Sequence, residues 1–359
     1  MKPQNLLLCL FFLLNAAGCA PQPAAKTPLV VFAAGSLIQP FDALEKAFEA
    51  KHPEIDVLSE YHGSIQVIRH ATELNEPIDV VVTADHALIP MLMYETTHAD
   101  TGQPNASWYI RFASNRLGLA YSDKSRYAGE INPQNWWEIL MRPDVKVGIA
   151  DPRFDASGYR ALMVYQMAQG HYQQPALFAN MFDGAFKYPI KVSDAGPLQM
   201  IRVPEILETV SGSHILVRGS SIQLIALLES GDLDYAFEYE SVIRQHGLGL
   251  VMFPPELNLG EAEQAAHYGQ VAVKMDFQRF ASVDPLFVGE QIGYGITIPA
   301  GAPHSKEAGQ YIAFILGPEG SAIMREHHHP LLDPLTASGY NNMPDTLRPL
   351  CVPDPEDNG

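Results

Sequence analysis

Four short segments rich in glycine and serine stand where an apolar run gives way to an amphipathic one. They are Gly35-Ser36, Gly63-Ser64, Asp155-Ala156-Ser157-Gly158 and Gly219-Ser220-Ser221. Each offers hydroxyl groups, the unpaired N–H groups of a first helical turn, and side chains small enough to let a ligand approach the backbone. Because a helix N-terminus attracts negative charge through its dipole and its free donors, the pattern predicts a site for a small anion.

The same residue types have an ordinary structural use. Ser, Asp and Gly are the preferred N-cap residues of helices, so a single junction of this kind indicates capping. Four junctions, two in each of two predicted lobes, favour a shared anion site. Hydrogen bonds to a charged group contribute about 1.5–3 kcal/mol each. Five or six of them would supply the ~12 kcal/mol of a nanomolar complex.

The elements that must position these junctions follow a strand–helix rhythm. Residues 29–32 form a continuous apolar run, typical of a buried parallel strand. Leu37, Phe41, Leu44 and Phe48 then recur on one helix face. Repetition of this rhythm predicts an α/β fold with two lobes, each a mostly parallel sheet flanked by helices. In such sheets ligands bind at the carboxyl ends of the strands, in the cleft that the junctions would line.

Composition and charge exclude several classes of function. The chain has 359 residues, 47% hydrophobic and 18% charged, which is typical of a globular protein of about two domains. The net charge of −18 argues against nucleic acid and anionic membrane surfaces as partners. With three cysteines and no CxxC pair, a disulfide framework and a cysteine-rich metal site are excluded. Hydrolase and nucleotide-binding motifs of the HExxH, GxSxG and Walker types are absent from the sequence.

The N-terminus has the pattern of an export signal. Lys2 precedes an apolar run over residues 6–14 that is too short to span a bilayer, and Ala16-Ala17-Gly18 leads to Cys19. This resembles a bacterial lipobox, which implies a signal peptide over residues 1–18 and lipidation of Cys19. A plain signal peptide cut nearby is the alternative. The location expected is the cell envelope, with the protein anchored to the membrane and facing the periplasm or the exterior.

The predicted domain boundaries follow from these signals. Residues 19–28 form a tether. The first lobe comprises residues 29–115 and 293–330, and the second lobe comprises residues 116–292. The proline-rich segment 331–359 is predicted to be a loosely packed C-terminal tail.

Six segments, in order along residues 28–330, resemble the motifs of the tungstate/molybdate-binding proteins of ABC importers. They are Ala34-Gly35-Ser36-Leu37, Tyr61-His62-Gly63-Ser64, residues 83–90, Asp155-Ala156-Ser157-Gly158-Tyr159-Arg160, residues 234–242, and residues 294–299. The resemblance implies a type II periplasmic-binding-protein fold that closes around one oxyanion and delivers it to an ABC permease. We therefore expect a monomeric binding protein that performs no catalysis and needs no cofactor.

Carried over motif by motif, the resemblance implies a set of ligand contacts. Those of the first lobe are Gly35, Ser36 and Ser64, and those of the second lobe are Asp155, Ala156, Ser157 and the Tyr239 hydroxyl. Family members that hold the metal centre in octahedral form add one Asp and one Glu as ligands. Asp155 stands at the Asp position, where it either ligates the W or Mo centre or caps the helix. Ser221 stands at the Glu position and would hydrogen-bond a tetrahedral oxyanion.

The sequence also suggests roles for two further residues and one segment, and it leaves several functions open. Asp85 is interpreted as a brace for its loop. Arg160 is expected to pair with Asp155, with stabilisation of the cleft as the alternative, and residues 327–329 are interpreted as a surface loop. Phosphate or sulfate is the alternative ligand, since Asp155 could accept a proton from hydrogen phosphate. Two further alternatives are an exported ester hydrolase that uses Ser36, Ser64 or Ser157 as nucleophile and a sensory or structural lipoprotein without affinity.

Overall fold

The computed structural model describes residues 25–74, 76–276 and 285–355. The predicted signal peptide and Cys19 lie outside the described residues. None of the helices within the described ranges combines the length and apolar character needed to cross a membrane.

The described strands and helices alternate along most of the chain. The strands are β1 Thr27–Ala34, β2 Ile55–His62, β3 Val80–Thr83, β4 Tyr109–Ser114, β5 Leu117–Tyr121, β6 Val147–Ala150, β7 Lys191–Ala195, β8 Leu198–Val203, β9 Ile215–Arg218, β10 Tyr235–Tyr239, β11 Gly249–Met252, β12 Val271–Met275, β13 Leu286–Val288, β14 Gly293–Thr297, β15 Leu331–Ser338 and β16 Val352–Pro353. The helices are α1 Ile38–Lys51, α2 Ser64–Thr72, α3 Trp136–Leu140, α4 Ala156–His171, α5 Leu177–Phe182, α6 Ile222–Ser230, α7 Glu240–Gln245, α8 Ala265–Tyr268, α9 Ser305–Leu316 and α10 Pro318–Glu326.

The first lobe is built on a seven-stranded sheet with the order β16-β15-β4-β14-β3-β1-β2. β1 pairs in parallel with both β2 and β3, as the apolar runs predict. β14 runs antiparallel to β3 and β4, because it enters this sheet from the opposite direction when the chain returns from the second lobe. The sheet is therefore mixed, with its parallel part at the strands that lead into α1 and α2.

The second lobe is built on a five-stranded sheet with the order β11-β5-β10-β6-β9. β6 pairs in parallel with β9 and β10, and β5 runs antiparallel to β10. The carboxyl ends of β6, β9 and β10 lead into α4, α6 and α7 respectively. This arrangement gives the second lobe three strand–helix junctions at one edge of its sheet.

A four-stranded sheet with the order β13-β12-β8-β7 was not predicted from the sequence. Its strand β12 packs on α4, which also contacts β6 and β10 of the five-stranded sheet. Because α4 lies between two sheets, it is buried on nearly every side from Ala156 to Ala168 and shows little amphipathic pattern. The stacked rings of Tyr159 and Phe287, with centroids 4.3 Å apart, join α4 to β13.

The segment after residue 330 packs more tightly than the predicted loose tail. β15 pairs with β4 in the seven-stranded sheet, and Leu335 and Ala337 are buried. β4 would otherwise be an edge strand with unpaired backbone groups, so its pairing with β15 satisfies them. Cys351 lies in this segment as a buried free thiol.

Candidate functional site

The strand–helix junctions of the two lobes meet face to face. The backbone N–H groups of Ile65 and Gln66, in the first turn of α2, donate to the carbonyl of Phe154, with N–O distances of 3.1 and 3.4 Å. Phe154 immediately precedes α4 in the second lobe. The first lobe and the second lobe are therefore in direct contact across the cleft.

All eight predicted contact residues are buried where these junctions come together. They are Gly35, Ser36, Ser64, Asp155, Ala156, Ser157, Ser221 and Tyr239. Their sequence positions span more than half of the chain, so the fold gathers them from four helix starts and the end of β10. Their role as ligand contacts stays a prediction.

Two glycines permit this close approach. A Cβ atom at Gly63 would lie 2.4 Å from the Phe154 carbonyl oxygen and 3.1 Å from the Asp155 Cβ. A Cβ at Gly35 would lie 3.0 Å from Cγ2 of Ile222. Both obstacles belong to the opposite lobe, and at Gly63 the obstacle is rigid backbone. Glycine is needed there so that the lobes can meet.

The hydroxyls of the first lobe already have partners within that lobe. The Ser36 and Tyr294 hydroxyls are hydrogen-bonded, with 2.9 Å between their oxygens. Ser64 Oγ accepts a hydrogen bond of 2.9 Å from the backbone N–H of Ala84. These bonds fix the orientation of both serines before any ligand is considered.

Asp155 is the N-cap of α4. One carboxylate oxygen accepts from the backbone N–H of Ser157 at 2.9 Å, and the other accepts from the backbone N–H of Ser221 at 3.2 Å. Burial raises the pKa of Asp155, while these two N–H groups, the nearby Ser157 side chain and the charge of Arg160 partly offset that effect. The capping interpretation is confirmed, and Asp155 also ties the start of α4 to the start of α6. Its ligation of a metal centre stays a prediction.

The buried polar atoms of the second lobe that lack hydrogen-bond partners include Ser157 Oγ and Glu238 Oε2. The second oxygen of Glu238, Oε1, accepts from Ser221 Oγ at 3.1 Å and from the backbone N–H of Tyr239 at 2.7 Å. Burial, with a contribution from the nearby charge of Asp155, raises the pKa of Glu238 to about 8. Glu238 was not predicted as a site residue, because in sequence it reads as one position in an alternating strand.

Arg160 connects the lobes, which agrees with the alternative that it stabilises the cleft. Its guanidinium donates to the Ala84 carbonyl at 2.8 Å and to the Tyr239 hydroxyl at 2.7 Å. Its Nη2 lies 3.3 Å from Asp85 Oδ2. The expected pairing with Asp155 is therefore wrong, because Asp85 takes that place and the N–H groups of two helix starts satisfy Asp155.

Asp85 braces its own loop, as predicted, since its Oδ1 accepts from the backbone N–H of Ala87 at 3.0 Å. The same carboxylate also receives a hydrogen bond from the Tyr159 hydroxyl across the cleft. Asp85 therefore holds two residues of α4 against the first lobe.

Comparison with known proteins gives the family. The bacterial extracellular solute-binding proteins match residues 29–329 of this chain. The chain belongs to that family. A solute-binding protein of Methanoculleus marisnigri is 35% identical over 327 residues, covering 91% of this chain and 87% of its own length. The molybdate/tungstate-binding protein WtpA of Thermococcus kodakarensis is 33% identical over 367 residues, covering 98% of this chain and 97% of its own length.

Solved structures of two-lobed binding proteins share the fold. The periplasmic molybdate-binding protein of Azotobacter vinelandii superposes with a TM-score of 0.53 at 16% identity, covering 85% of this chain and 99% of that one. The sulfate-binding protein SubI of Mycobacterium tuberculosis gives a TM-score of 0.54 at 15% identity, covering 91% and 93%. The predicted two-lobed fold class is confirmed. Family membership places the solute-binding protein outside the cytoplasm.

A buried polar network lies where the chain of this solute-binding protein crosses between its lobes. Asn115, between β4 and β5, donates from Nδ2 to the Tyr294 hydroxyl at 3.0 Å and to Ser241 Oγ at 2.8 Å. Ser241 Oγ lies 3.1 Å from Nε2 of His329. Because Tyr294 also bonds Ser36, the network links the crossing segment to the cleft.

His329 differs from its predicted environment. The surface-loop interpretation of residues 327–329 is wrong at this position, because His329 is fully buried. Burial lowers the pKa of His329 to about 4, so the ring is neutral at physiological pH. No sequence signal distinguished it from its two neighbouring histidines, since the difference arises from packing against Tyr294 and Ser241.

Proposed function

We propose that this solute-binding protein captures molybdate or tungstate in the cleft and delivers the oxyanion to an ABC permease. The observation that carries the proposal is a pair of buried, unpartnered polar atoms where the two lobes meet: Ser157 Oγ at the start of α4 and Glu238 Oε2 near the end of β10. An anion oxygen would accept a hydrogen bond from the Ser157 hydroxyl, and also from Glu238 Oε2 when that oxygen carries a proton. The name of the Thermococcus kodakarensis relative supports the choice of ligand.

The proposed contacts come from both lobes. The first-lobe contacts are Gly35, Ser36 and Ser64, and the second-lobe contacts are Asp155, Ala156, Ser157, Ser221 and Tyr239. Most of the donors would be hydroxyls and first-turn N–H groups, which carry no net charge. Such donors suit a ligand that must be both bound and released, since each contributes about 1.5–3 kcal/mol and can exchange with water as the lobes open. A protein anchored by Cys19 would stay close to its permease.

The geometry favours binding over catalysis. A serine hydrolase needs a general base within hydrogen-bond reach of its nucleophile. In the described part of the chain, Ser36 bonds Tyr294, Ser64 bonds the Ala84 N–H, and Ser157 Oγ makes no hydrogen bond. None of these arrangements activates a hydroxyl for attack.

The proposal is tested by titration of the purified mature protein with tungstate, molybdate, sulfate, phosphate and vanadate. We expect binding of one tungstate or molybdate per chain in isothermal titration calorimetry. At a thousandfold excess over Kd the ligand should stabilise the fold by about 4 kcal/mol, visible as a rise in Tm.

Other results of the same panel would contradict it. A rise in Tm with phosphate or sulfate, and none with tungstate or molybdate, would reassign the ligand. Hydrolysis of a generic phosphate ester that is lost on Ser36→Ala would support an enzyme. A flat titration with every oxyanion would support a lipoprotein without affinity.

A further inference from the structure

The two carboxyl oxygens of Glu238 have different environments. Oε1 accepts two hydrogen bonds, from Ser221 Oγ and from the backbone N–H of Tyr239, whereas Oε2 is buried without a partner. This is the pattern of a neutral carboxylic acid, in which the carbonyl oxygen accepts and the hydroxyl oxygen holds a proton. Such a hydroxyl lacks only an acceptor, which a ligand oxygen would provide.

The groups around Glu238 do not provide a counter-ion. Ser221 links Glu238 to Asp155, because its Oγ donates to Glu238 and its N–H donates to Asp155. Arg160 directs its guanidinium to the Tyr239 hydroxyl, the Ala84 carbonyl and the Asp85 carboxylate. The side chain of Glu238 is 0% exposed. An ionised Glu238 would therefore be an uncompensated buried charge next to another carboxylate.

The other titratable groups at this point keep their protonation state over the neutral and mildly alkaline range. Burial raises the pKa of Tyr239 and of Tyr294 well above the usual tyrosine range, so both hydroxyls remain protonated. Burial raises the pKa of Glu238 to about 8, which places its titration in this range. Molybdate, tungstate and sulfate are fully deprotonated dianions throughout it.

We propose that Glu238, as a neutral acid, is a specificity-determining residue of the cleft, and that its Oε2 hydroxyl donates a hydrogen bond to an oxygen of the bound dianion. This inference rests on the proposed function. The proton stays on Oε2 in the complex. When Glu238 is ionised, a dianion binds only with uptake of one proton, since the carboxylate would otherwise repel it. Affinity for a dianion should then fall as pH rises above about 8, by up to tenfold per pH unit.

Glu238→Gln tests this directly. The amide oxygen keeps the acceptor for Ser221 and Tyr239, and the NH2 group places a permanent donor at the position of Oε2. By calorimetry with molybdate we expect wild type and E238Q to bind within about threefold of each other near pH 7. Near pH 9.5 the wild type should be at least about tenfold weaker than near pH 7, whereas E238Q should stay within about threefold.

Two measurements control the comparison. Glu229→Gln makes the same substitution at an exposed position of α6 and should retain the alkaline loss of affinity. Calorimetry near pH 9 in two buffers of different protonation enthalpy should show uptake of about one proton by the wild type and none by E238Q. Circular dichroism checks that each variant is folded at each pH.

The inference is overturned if the wild-type affinity for molybdate is constant from about pH 7 to 9.5. It is equally overturned if the affinity of E238Q falls with pH in parallel with that of the wild type. It is also overturned if folded E238Q binds molybdate near pH 7 as weakly as Glu238→Ala does, because a hydrogen-bond donor at that position would then contribute nothing to affinity. Failure of the proposed function looks different. In that case the wild type binds neither molybdate nor tungstate near pH 7, and the inference fails with it.

Discussion

The two walls of the cleft differ in what their polar groups already do. In the first lobe the hydroxyls of Ser36 and Ser64 are bonded to Tyr294 and to the Ala84 N–H. In the second lobe Ser157 Oγ and Glu238 Oε2 are buried without partners, beside the carboxylate of Asp155. The two serine hydroxyls of the first wall are preorganised. The second wall carries the groups that can respond to the charge and protonation of a ligand.

The two walls therefore contribute differently to ligand selection and to lobe closure. Hydroxyls that are already bonded need little rearrangement and hold a fixed shape, which favours selection by size. Unpartnered buried groups cost free energy until something pairs with them, so they make ligand binding and closure mutually dependent. Arg160 connects the walls, since it bonds Ala84 and Asp85 on one side and Tyr239 on the other.

The largest effect is expected from Arg160→Met, which removes the connection between the walls. Loss of one partner of a buried ion pair costs about 3–5 kcal/mol. The Asp85 carboxylate can be hydrated again when the lobes separate. The free-energy cost of leaving it unpaired should therefore oppose closure of the lobes more than it lowers the stability of either lobe. We expect affinity for molybdate or tungstate to fall about a hundredfold or more in calorimetry.

Arg126→Met is the matched control, because Arg126 pairs with buried Asp234 within the second lobe, at 2.8 Å. That variant should lower the free energy of unfolding and leave affinity nearly unchanged. If Arg160→Met instead lowers stability and keeps affinity, Arg160 is a brace of one lobe and the two walls are not coupled through it.

The second-largest loss of affinity is expected from Gly63→Ala. The backbone at Gly63 is extended, with φ −63° and ψ 144°, so alanine fits the local conformation. The new Cβ would lie 2.4 Å from the Phe154 carbonyl oxygen of the opposite wall. Overpacking of this kind costs about 1–3 kcal/mol, which predicts a ten- to hundredfold loss of affinity without loss of lobe stability.

Small-angle scattering should show that Gly63→Ala with saturating ligand stays more open than wild type. Gly129→Ala is the control, because no atom lies within 4 Å of a Cβ at that position. A closed, tightly binding Gly63→Ala would mean that the walls can shift past each other and that the contact at Phe154 does not limit closure.

The smallest effects are expected from Ser64→Ala and Ser157→Ala. Together these variants test whether the first-lobe wall and the second-lobe wall of the cleft differ. Ser64→Ala leaves the buried Ala84 N–H without its acceptor, so it should lower the free energy of unfolding by about 1–3 kcal/mol. Ser157→Ala removes a hydroxyl that has no partner, so the free energy of unfolding should change little. The affinity for molybdate or tungstate should fall about tenfold. Urea unfolding and calorimetry measure the two quantities. Equal effects of both variants on both quantities would show that the walls do not differ.

Much of the fold and of the site could be predicted because the signals are local. The apolar run of β1, the helix face of α1 and the capping pattern at Asp155 depend on residues within a few positions of each other. The motif resemblance extended these signals to eight residues that the structure does gather at one cleft. The third sheet was missed, since the exposed β7 and the half-buried β8 lack a clear alternating pattern.

The local sequence determines where strands and helices form and which groups lie at their ends. Here those groups are the hydroxyls, glycines and free N–H groups at helix starts. Tertiary structure alone decided the partners. Arg160 bonds a carbonyl 76 positions away, and Asn115 bonds Tyr294 across 179 positions. Burial in the tertiary structure also lowers the pKa of His329 and raises the pKa of Glu238. The physical reason is that capping and periodicity act over a few residues, whereas desolvation and ion pairing depend on everything that surrounds a group in space.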